Sequence, residues 1–283
     1  MESDLILSVI HPRPQQPKLS ACLRGASPAT DHCMQKKLPL IHQAIADNDL
    51  SAFEALLDRA DLEERDPLGF TPRELSVLLG RRDCATRLGQ DWHAPFEGTE
   101  HYLPCMCFRS YEDLEEGTRL APLWMQYTPL GKDARTLGER YREAVFSGFA
   151  TPSEVLWVDP TVGYGRFAQS SIPEGAYIGN YSGVFRKGDA KATDCNSYCF
   201  EYPCRFYRRE LFMVDSQDWG NETRFMNHSD SPNIRYDYAL DRGLLHLLFF
   251  ATRPIAEGEQ MTIDYGPDFW RNRRKVSLES LSC

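Results

Sequence analysis

Three stretches of this 283-residue chain have residue types and spacing suited to chemistry. The longest runs Asp215-Ser-Gln-Asp-Trp-Gly220-Asn221-Glu-Thr-Arg224-Phe225-Met226-Asn227-His228-Ser229-Asp230-Ser231-Pro232-Asn233. An amide, an imidazole, a guanidinium and a phenyl ring fall within positions 224–228 and offer donors and acceptors in a small volume. A lone Asn-His is ordinarily a satisfied turn, so the whole string carries the reading. The second stretch, Gly163-Tyr164-Gly165-Arg166-Phe167-Ala168, fits G-x-G-x-x-A, the fingerprint of a dinucleotide-binding turn. That reading needs a helix directly after the loop. Pro173-Glu174-Gly175 breaks the chain instead and a strand-like run comes next, which makes a NAD-dependent enzyme the remotest alternative. A glycine-lined turn whose backbone approaches a ligand stays open. The third stretch, Asp264-Tyr265-Gly266, is by itself a tyrosine at a strand end.

Nine cysteines (Cys22, Cys33, Cys84, Cys105, Cys107, Cys195, Cys199, Cys204, Cys283) make an odd, scattered set. Neither Cys105-x-Cys107 nor the Cys195/Cys199/Cys204 group supplies two pairs at finger-like spacing, so free thiols in a reducing compartment are expected and no metal. No apolar run approaches the ~20 residues that span a bilayer. The start, with Leu5-Ile10 ending at His11-Pro12, does not read as a secretory signal. These two readings imply an intracellular protein with no membrane contact. The net charge of −9 disfavours a phosphate backbone and suits a Lys/Arg-rich protein partner, so direct nucleic-acid binding is not expected.

Several elements must position these stretches. Residues 1–36 carry Pro12, Pro14, Pro17 and Pro28 without periodicity, a flexible arm. Over 37–90 the apolar residues mark two helix pairs. Leu40, Ile41, Ala44 and Ile45 precede Phe53, Leu56 and Leu57, and Pro72–Leu79 precedes Asp83–Leu88. Pro39 and Pro72 lie 33 positions apart, each opening a helix, and Asp66-Pro-Leu-Gly69-Phe70-Thr71-Pro72 joins the pairs. The period and this D-x-x-G-x-T-P turn resemble ankyrin repeats, with Arg73 and Glu74 where Leu-His is usual. Two repeats are too few to stand alone, so this region should pack on the rest of the chain and offer a surface to a protein partner. Residues 91–154 form a linker and helical region that packs on the C-terminal half. Asp91 to Gly131 reads as loop, rich in aromatics, and Asp133 is placed as the N-cap of a helix carrying Leu137, Tyr141, Val145 and Phe149. From about Val155 short strands dominate: Val155–Val158, Tyr177–Tyr181, Leu211–Val214, Leu244–Ala251 and Gln260–Tyr265. Residues 271–283 are a tail, with Arg271, Arg273, Arg274 and Lys275 read as a solvated basic end.

The 215–233 string resembles the R-F-x-N-H-S-x-x-P-N signature of SET-domain protein-lysine methyltransferases. The family's other motifs come in order. Gly163–Ala168 is similar to its G-x-G-x-F-A opening, and Tyr177-Ile-Gly-Asn-Tyr181-Ser-Gly183 to its strand ending in Y-x-G. Leu248–Ile255 and Gly258–Gly266 are similar to its closing F-A-x-R-x-I and G-E-E-L-x-x-D-Y-G. The resemblance covers about 155–270. It implies an α+β chain: a SET-type fold of small β-sheets with a knot-like C-terminal crossing, behind an N-terminal helical ankyrin-like region. It also implies transfer of a methyl group from S-adenosyl-L-methionine to lysine, with S-adenosyl-L-homocysteine as product. A histone tail is the leading substrate, another basic protein the alternative; a histone target places the action in a nucleus, the cell's own or a host's, and any other target in the cytoplasm.

Carried over by position, the resemblance puts Gly163, Tyr164, Gly165, Arg224, Phe225, Asn227 and His228 at the cofactor. Asn227 and His228 would act mostly through backbone groups. Tyr265 would stand at the transfer point with Tyr181 as a second catalytic tyrosine, and Tyr181, Tyr198, Phe200, Ile263 and Phe269 would wall the lysine channel. The family's zinc-binding segment after the terminal tyrosine is missing here, since only Cys283 comes after Tyr265. Phe269 and Trp270 are suited to close the pocket, on adenine or in the tunnel. Ile263, at a place where the family often has Phe or Tyr, leaves room for an already methylated amine. The competing reading is a silent interaction module; such relatives usually lack the Asn-His or the last tyrosine, and both are present.

Overall fold

The computed structural model describes residues 37–90, 101–188, 196–203, 211–271 and 273–276. The expected arm at 1–36, and Cys22, Cys33, Trp92, Phe96, Cys195, Cys204 and Cys283, lie outside them.

Among the described residues the strand half is built from three small sheets. β2 (Ser153–Asp159), β3 (Gly163–Ala168), β11 (Gln260–Ile263) and β8 (Asn227–His228) form one, in that order. β4 (Tyr177–Asn180), β10 (Leu244–Ala251) and β9 (Ile234–Asp241) form another. The third runs β1 (Met106–Cys107), β5 (Gly183–Lys187), β7 (Phe212–Asp215) and β6 (Cys199–Tyr202). β10 is buried along its whole length, which is why Leu244–Ala251 reads as an unbroken apolar run rather than an alternating one. Gly163–Ala168, which the sequence leaves open as a turn, is a strand paired to β2 on one side and β11 on the other.

The helical half has two pairs, α1 (Leu40–Ala46) with α2 (Leu50–Leu57) and α3 (Pro72–Leu78) with α4 (Arg82–Arg87), and α1 stacks on α3. Pro39 is the N-cap of α1 and Pro72 opens α3, both positions where a missing N–H costs nothing. In the joining turn the Asp66 carboxylate accepts from the N–H groups of Leu68 and Phe70 at 2.9 and 2.8 Å and from the Tyr111 hydroxyl at 3.0 Å. Thr71 and Glu74 cap α3 reciprocally, so the departure from Leu-His at 73–74 gives Glu74 a structural task.

Residues 111–127 correct the loop reading: α5 (Tyr111–Thr118) and α6 (Leu123–Tyr127) are helices. Ser110 accepts from the Asp113 N–H as N-cap of α5. α7 (Lys132–Ser147) lies against β9. Its N-cap is Gly131, because a 3₁₀ turn over Pro129–Gly131 runs straight into it; Asp133 sits in the first turn instead, and Phe149 falls beyond the Gly148 end and is exposed.

Among the described residues one apolar core runs from Ile41 and Phe53 through Phe108, Leu114 and Phe146 to Leu248, Phe249 and Ile263. The two halves also meet through charge. Arg242 donates to both Glu74 oxygens, at 2.6 and 2.9 Å, and to Asp241 at 2.6 and 2.9 Å, while Arg142 reaches Asp241 at 2.7 Å. The Arg242 guanidinium lies 4.3 Å from the centre of the Phe70 ring. The neighbouring guanidinium groups hold the Asp241 carboxyl below its usual range against the opposing effect of burial.

Candidate active site

β8 and β11 run side by side in parallel, with Thr262 opposite Asn227 and Ile263 opposite His228. Ser229 N–H extends the pairing to the Ile263 carbonyl at 3.1 Å. This pairing places Tyr265 against the Asn-His segment, although 37 positions separate Tyr265 from His228. The Tyr265 N–H donates to His228 Nδ1 at 3.2 Å, and its hydroxyl donates to the Met226 carbonyl at 2.9 Å. With Nδ1 accepting, the His228 proton belongs on Nε2. Burial, with Tyr198 close by, pushes the Tyr265 phenol well above its ordinary range. It is therefore a neutral hydroxyl, an oxygen acceptor rather than a base.

Two environments meet at this tyrosine. One side is a cavity of about 470 Å³, lined by Tyr181, Phe200, Ile263, Tyr265 and Phe269 among others. The Tyr181 hydroxyl donates to the Tyr198 carbonyl at 2.7 Å and its ring meets Phe200 edge-on at 4.6 Å. Burial raises the Tyr181 phenol far above its usual range as well. Of the five expected channel residues, four line this cavity. Tyr198 does not: its carbonyl accepts from Tyr181 and Ser216, and its phenol lies in the field of Arg224. Arg224 itself lines the cavity, with Nη1 donating to the Ser216 carbonyl at 2.9 Å.

The other side carries the remaining residues expected at a cofactor. Asn227 donates through Nδ2 to the Tyr164 carbonyl at 3.0 Å, which ties β8 to β3 across β11. The Tyr164 ring lies edge-on to Phe225 at 6.2 Å and to Trp157 at 5.2 Å. Gly163 enters β3 at φ 73°, a left-handed value that favours glycine. At Gly165 a Cβ would lie 2.2 Å from the Gln260 side-chain nitrogen and 2.8 Å from Val158, so the close approach there is to the protein's own side chains. Trp270, on α8 (Pro267–Trp270), stacks on Tyr265 at 5.9 Å and 17° and lies 4.9 Å from the His228 ring. His228 Nε2 and Trp270 Nε1 are buried donors with no hydrogen-bond partner among the described residues. The half-exposed Asp230 carboxylate stands 3.5 Å from Nε2 but makes no hydrogen bond to it.

The frame behind this side is unusually polar. Arg166 of β3 is fully buried and donates to the Ser153 hydroxyl at 2.7 Å and the Thr151 carbonyl at 3.0 Å. Its Nη2 stands 3.5 Å from Glu222, in the 3₁₀ turn that leads to Asn227. Cys105 and Cys107 are buried thiols, raised by burial, Cys107 to about 12. Among the described residues no group of three or more His, Cys, Asp or Glu is arranged to hold a metal ion.

Residues that the motifs did not single out also belong here. Met226 supplies the carbonyl that Tyr265 binds, and Trp157 flanks Tyr164. Asn196, Glu201, Tyr236, Tyr238 and Arg273 line the cavity. The basic tail is corrected at Arg273, which folds back onto Phe269 and Asn196 rather than into solvent. Nothing in the local pattern around these residues signals such contacts, because their partners come from distant segments.

Residues 163–266 match the family model described as the SET domain. Human histone-lysine N-methyltransferase EHMT1 is 32% identical over 120 residues, 41% of this chain and 9% of that protein. Histone-lysine N-methyltransferase Su(var)3-9 of Drosophila pseudoobscura pseudoobscura is 29% identical, over 42% of this chain and 20% of its own. The Arabidopsis thaliana histone-lysine N-methyltransferase MEDEA is 30% identical over 66% of this chain and 27% of its own. The chain thus spans less than a third of each of these relatives. The crystal structure of the Chaetomium thermophilum polycomb repressive complex 2 is 24% identical over 52% of this chain and 20% of that one, with a TM-score of 0.39, too low to add weight. Over residues 163–266 the strand half, built of small sheets, is thus similar to the SET domain.

Proposed function

We propose, from the premise that residues 163–266 form a SET domain, that this chain is an S-adenosyl-L-methionine-dependent protein-lysine N-methyltransferase acting on a histone or another basic protein. One observation carries the reading: Tyr265 sits between a cavity of about 470 Å³ and the Asn227-His228 segment, touching both. A lysine entering by the cavity and a cofactor held on the opposite side would meet at its hydroxyl.

The residues on the second side fit the cofactor. His228 Nε2–H and Trp270 Nε1–H are buried donors without hydrogen-bond partners among the described residues, and S-adenosyl-L-methionine offers carboxylate, hydroxyl and ring-nitrogen acceptors. Trp270, Phe225 and Tyr164 supply aromatic surface beside them. When bound, the cofactor supplies a sulfonium methyl for in-line displacement by a neutral amine.

The chain's own residues account for the rest. A free lysine has a pKa near ~10.4, so about 4 kcal/mol must be found to deprotonate it near neutrality. The walls formed by Tyr181, Phe200, Ile263 and Phe269 disfavour the ammonium by desolvation. A narrow approach line contributes several kcal/mol, roughly, as effective molarity. The Tyr265 hydroxyl spends its proton on the Met226 carbonyl, leaving oxygen lone pairs for C–H···O contacts from the polarised methyl and for orienting the amine. In the same reading the stacked helix pairs at 37–90 are ankyrin-like and orient a protein partner, and a histone target would place the enzyme in a nucleus.

Labelled-methyl transfer to a panel of purified histones and to cell lysate tests the proposal, with Tyr265→Phe alongside. Labelled lysine with the wild-type chain and not with the variant is expected. Cofactor binding without turnover on any substrate would establish the silent interaction module instead.

A further inference from the structure

The cavity has two banks that come from segments far apart in the chain, and one side chain joins them. One bank is residues 196–200; the other is α8 with the residues after it. Arg273 lies 4.3 Å above the Phe269 ring, donates through Nη1 to the Phe269 carbonyl at 3.1 Å, and through Nη2 to the Asn196 carbonyl at 3.3 Å. Phe269 meets Tyr265 edge-on at 4.6 Å. On the far bank Asn196 is buried and committed: Nδ2 donates to Asp215 at 2.8 Å, and Oδ1 accepts from the Tyr198 N–H at 2.8 Å. Tyr198 in turn accepts the Tyr181 hydroxyl, and Arg186 anchors Asp215 at 2.7 Å. A continuous chain of polar contacts thus runs from β5 and β7 through Asn196 and Arg273 to the ring packed on Tyr265.

We propose that Arg273 and Asn196 are positioning residues for methyl transfer, a clasp that holds the two banks of the substrate cavity at a fixed separation. The clasp rests on the methyltransferase function proposed for this site. Arginine suits the task because its planar fork serves two carbonyls while its face lies on an aromatic ring, which a lysine cannot do. The clasp acts on the walls and leaves the transfer point itself intact. Releasing it should therefore weaken capture of the lysine side chain more than it slows chemistry.

The test uses the full chain as wild type, Arg273→Met, Arg273→Lys, Asn196→Ala and the Arg273→Met/Asn196→Ala double variant. Hydrogen exchange is read over 196–203 and 266–271, and KM and kcat for a lysine-bearing histone peptide at saturating S-adenosyl-L-methionine. Arg273→Met should raise KM about tenfold, the scale of one hydrogen bond to a charged group, with kcat within about threefold. Exchange should rise on both banks, Arg273→Lys should fall in between, and the double variant should be no worse than the larger single effect. A merely structural role would lower kcat through loss of folded protein at unchanged KM, and that result overturns the clasp. If the wild type is active and Arg273→Met leaves KM and exchange unaltered, the clasp fails and the enzymatic reading stands. If no substrate is methylated but exchange rises on both banks together, Arg273 does tie the two banks, and it is the enzymatic reading that fails, taking the positioning role in methyl transfer with it.

Discussion

The crossing at Tyr265 and the junction at Arg242 both join segments distant in sequence, by opposite means. At the crossing, β8 and β11 pair through backbone groups, and aromatic rings pack on the result. At the junction, Arg242 binds Glu74 and Asp241 through side-chain charge, all three largely shielded from solvent. Backbone pairing fixes a geometry that does not depend on the reacting side chain. A buried charge cluster fixes a docking that depends wholly on its members. Side-chain deletion should therefore cost function at the first place and folding at the second.

Tyr265→Phe is the strongest way to break this contrast. It should reduce methyl transfer by about a hundredfold or more while costing only about 1 kcal/mol in urea unfolding, for the lost bond to the Met226 carbonyl; a drop in stability matching the loss of activity would show that the tyrosine is structural. Arg242→Met should do the reverse. Losing the cation shared by Glu74 and Asp241, which keep only Arg65 at 3.5 Å and Arg142 at 2.7 Å, should cost roughly 3 kcal/mol of stability, measured by urea unfolding, with activity per folded molecule unchanged.

The crossing was the more legible of the two places, for a physical reason. Asn227, His228 and Tyr265 belong to runs in which backbone spacing and side-chain type are both constrained, so the strings carry the geometry. The strands at Tyr177, Leu244 and Gln260 stood out because β-branched and aromatic residues run between Gly and Pro breaks. α5 and α6 did not, because helices of eight and five residues bury only Leu114, Gly117 and Met125, too few to show a period. The Arg242 junction was invisible: its partner Glu74 lies 168 positions away. Arg273 looked like a solvated end for the same reason, 77 positions from Asn196.

A pH titration sharpens the contrast at the junction's edge. His246 is fully buried on β10 near Asp241, and burial lowers its pKa to about 4. The unfolded chain takes up the proton first, near the ordinary ~6.5. The stability that neutral His246 contributes is thus complete above about pH 6.5 and is lost as the pH falls toward about 4. The loss should be about 3 kcal/mol. His246→Gln should flatten that part of the stability curve, and an unaltered slope would show that the histidine is not the responsible group.

The smallest expected effect lies inside the cavity. Ile263 is buried beside Tyr265, and Ile263→Tyr should narrow the channel and shift the product toward monomethyl-lysine at a folding cost of about 1–3 kcal/mol. Mass spectrometry of the product reads the mono/di/tri distribution, and an unchanged distribution removes Ile263 from the channel's determinants.

The most direct measurement is a crystal structure of the full chain with S-adenosyl-L-homocysteine and a lysine peptide. The expected arrangement has the cofactor against Tyr164, Asn227, His228 and Trp270, the lysine in the cavity beside Tyr181 and Phe200, and sulfur and amine converging at the Tyr265 hydroxyl. A cofactor lodged in the Tyr181–Phe200 cavity, or a lysine and sulfur on the same side of Tyr265, would contradict it.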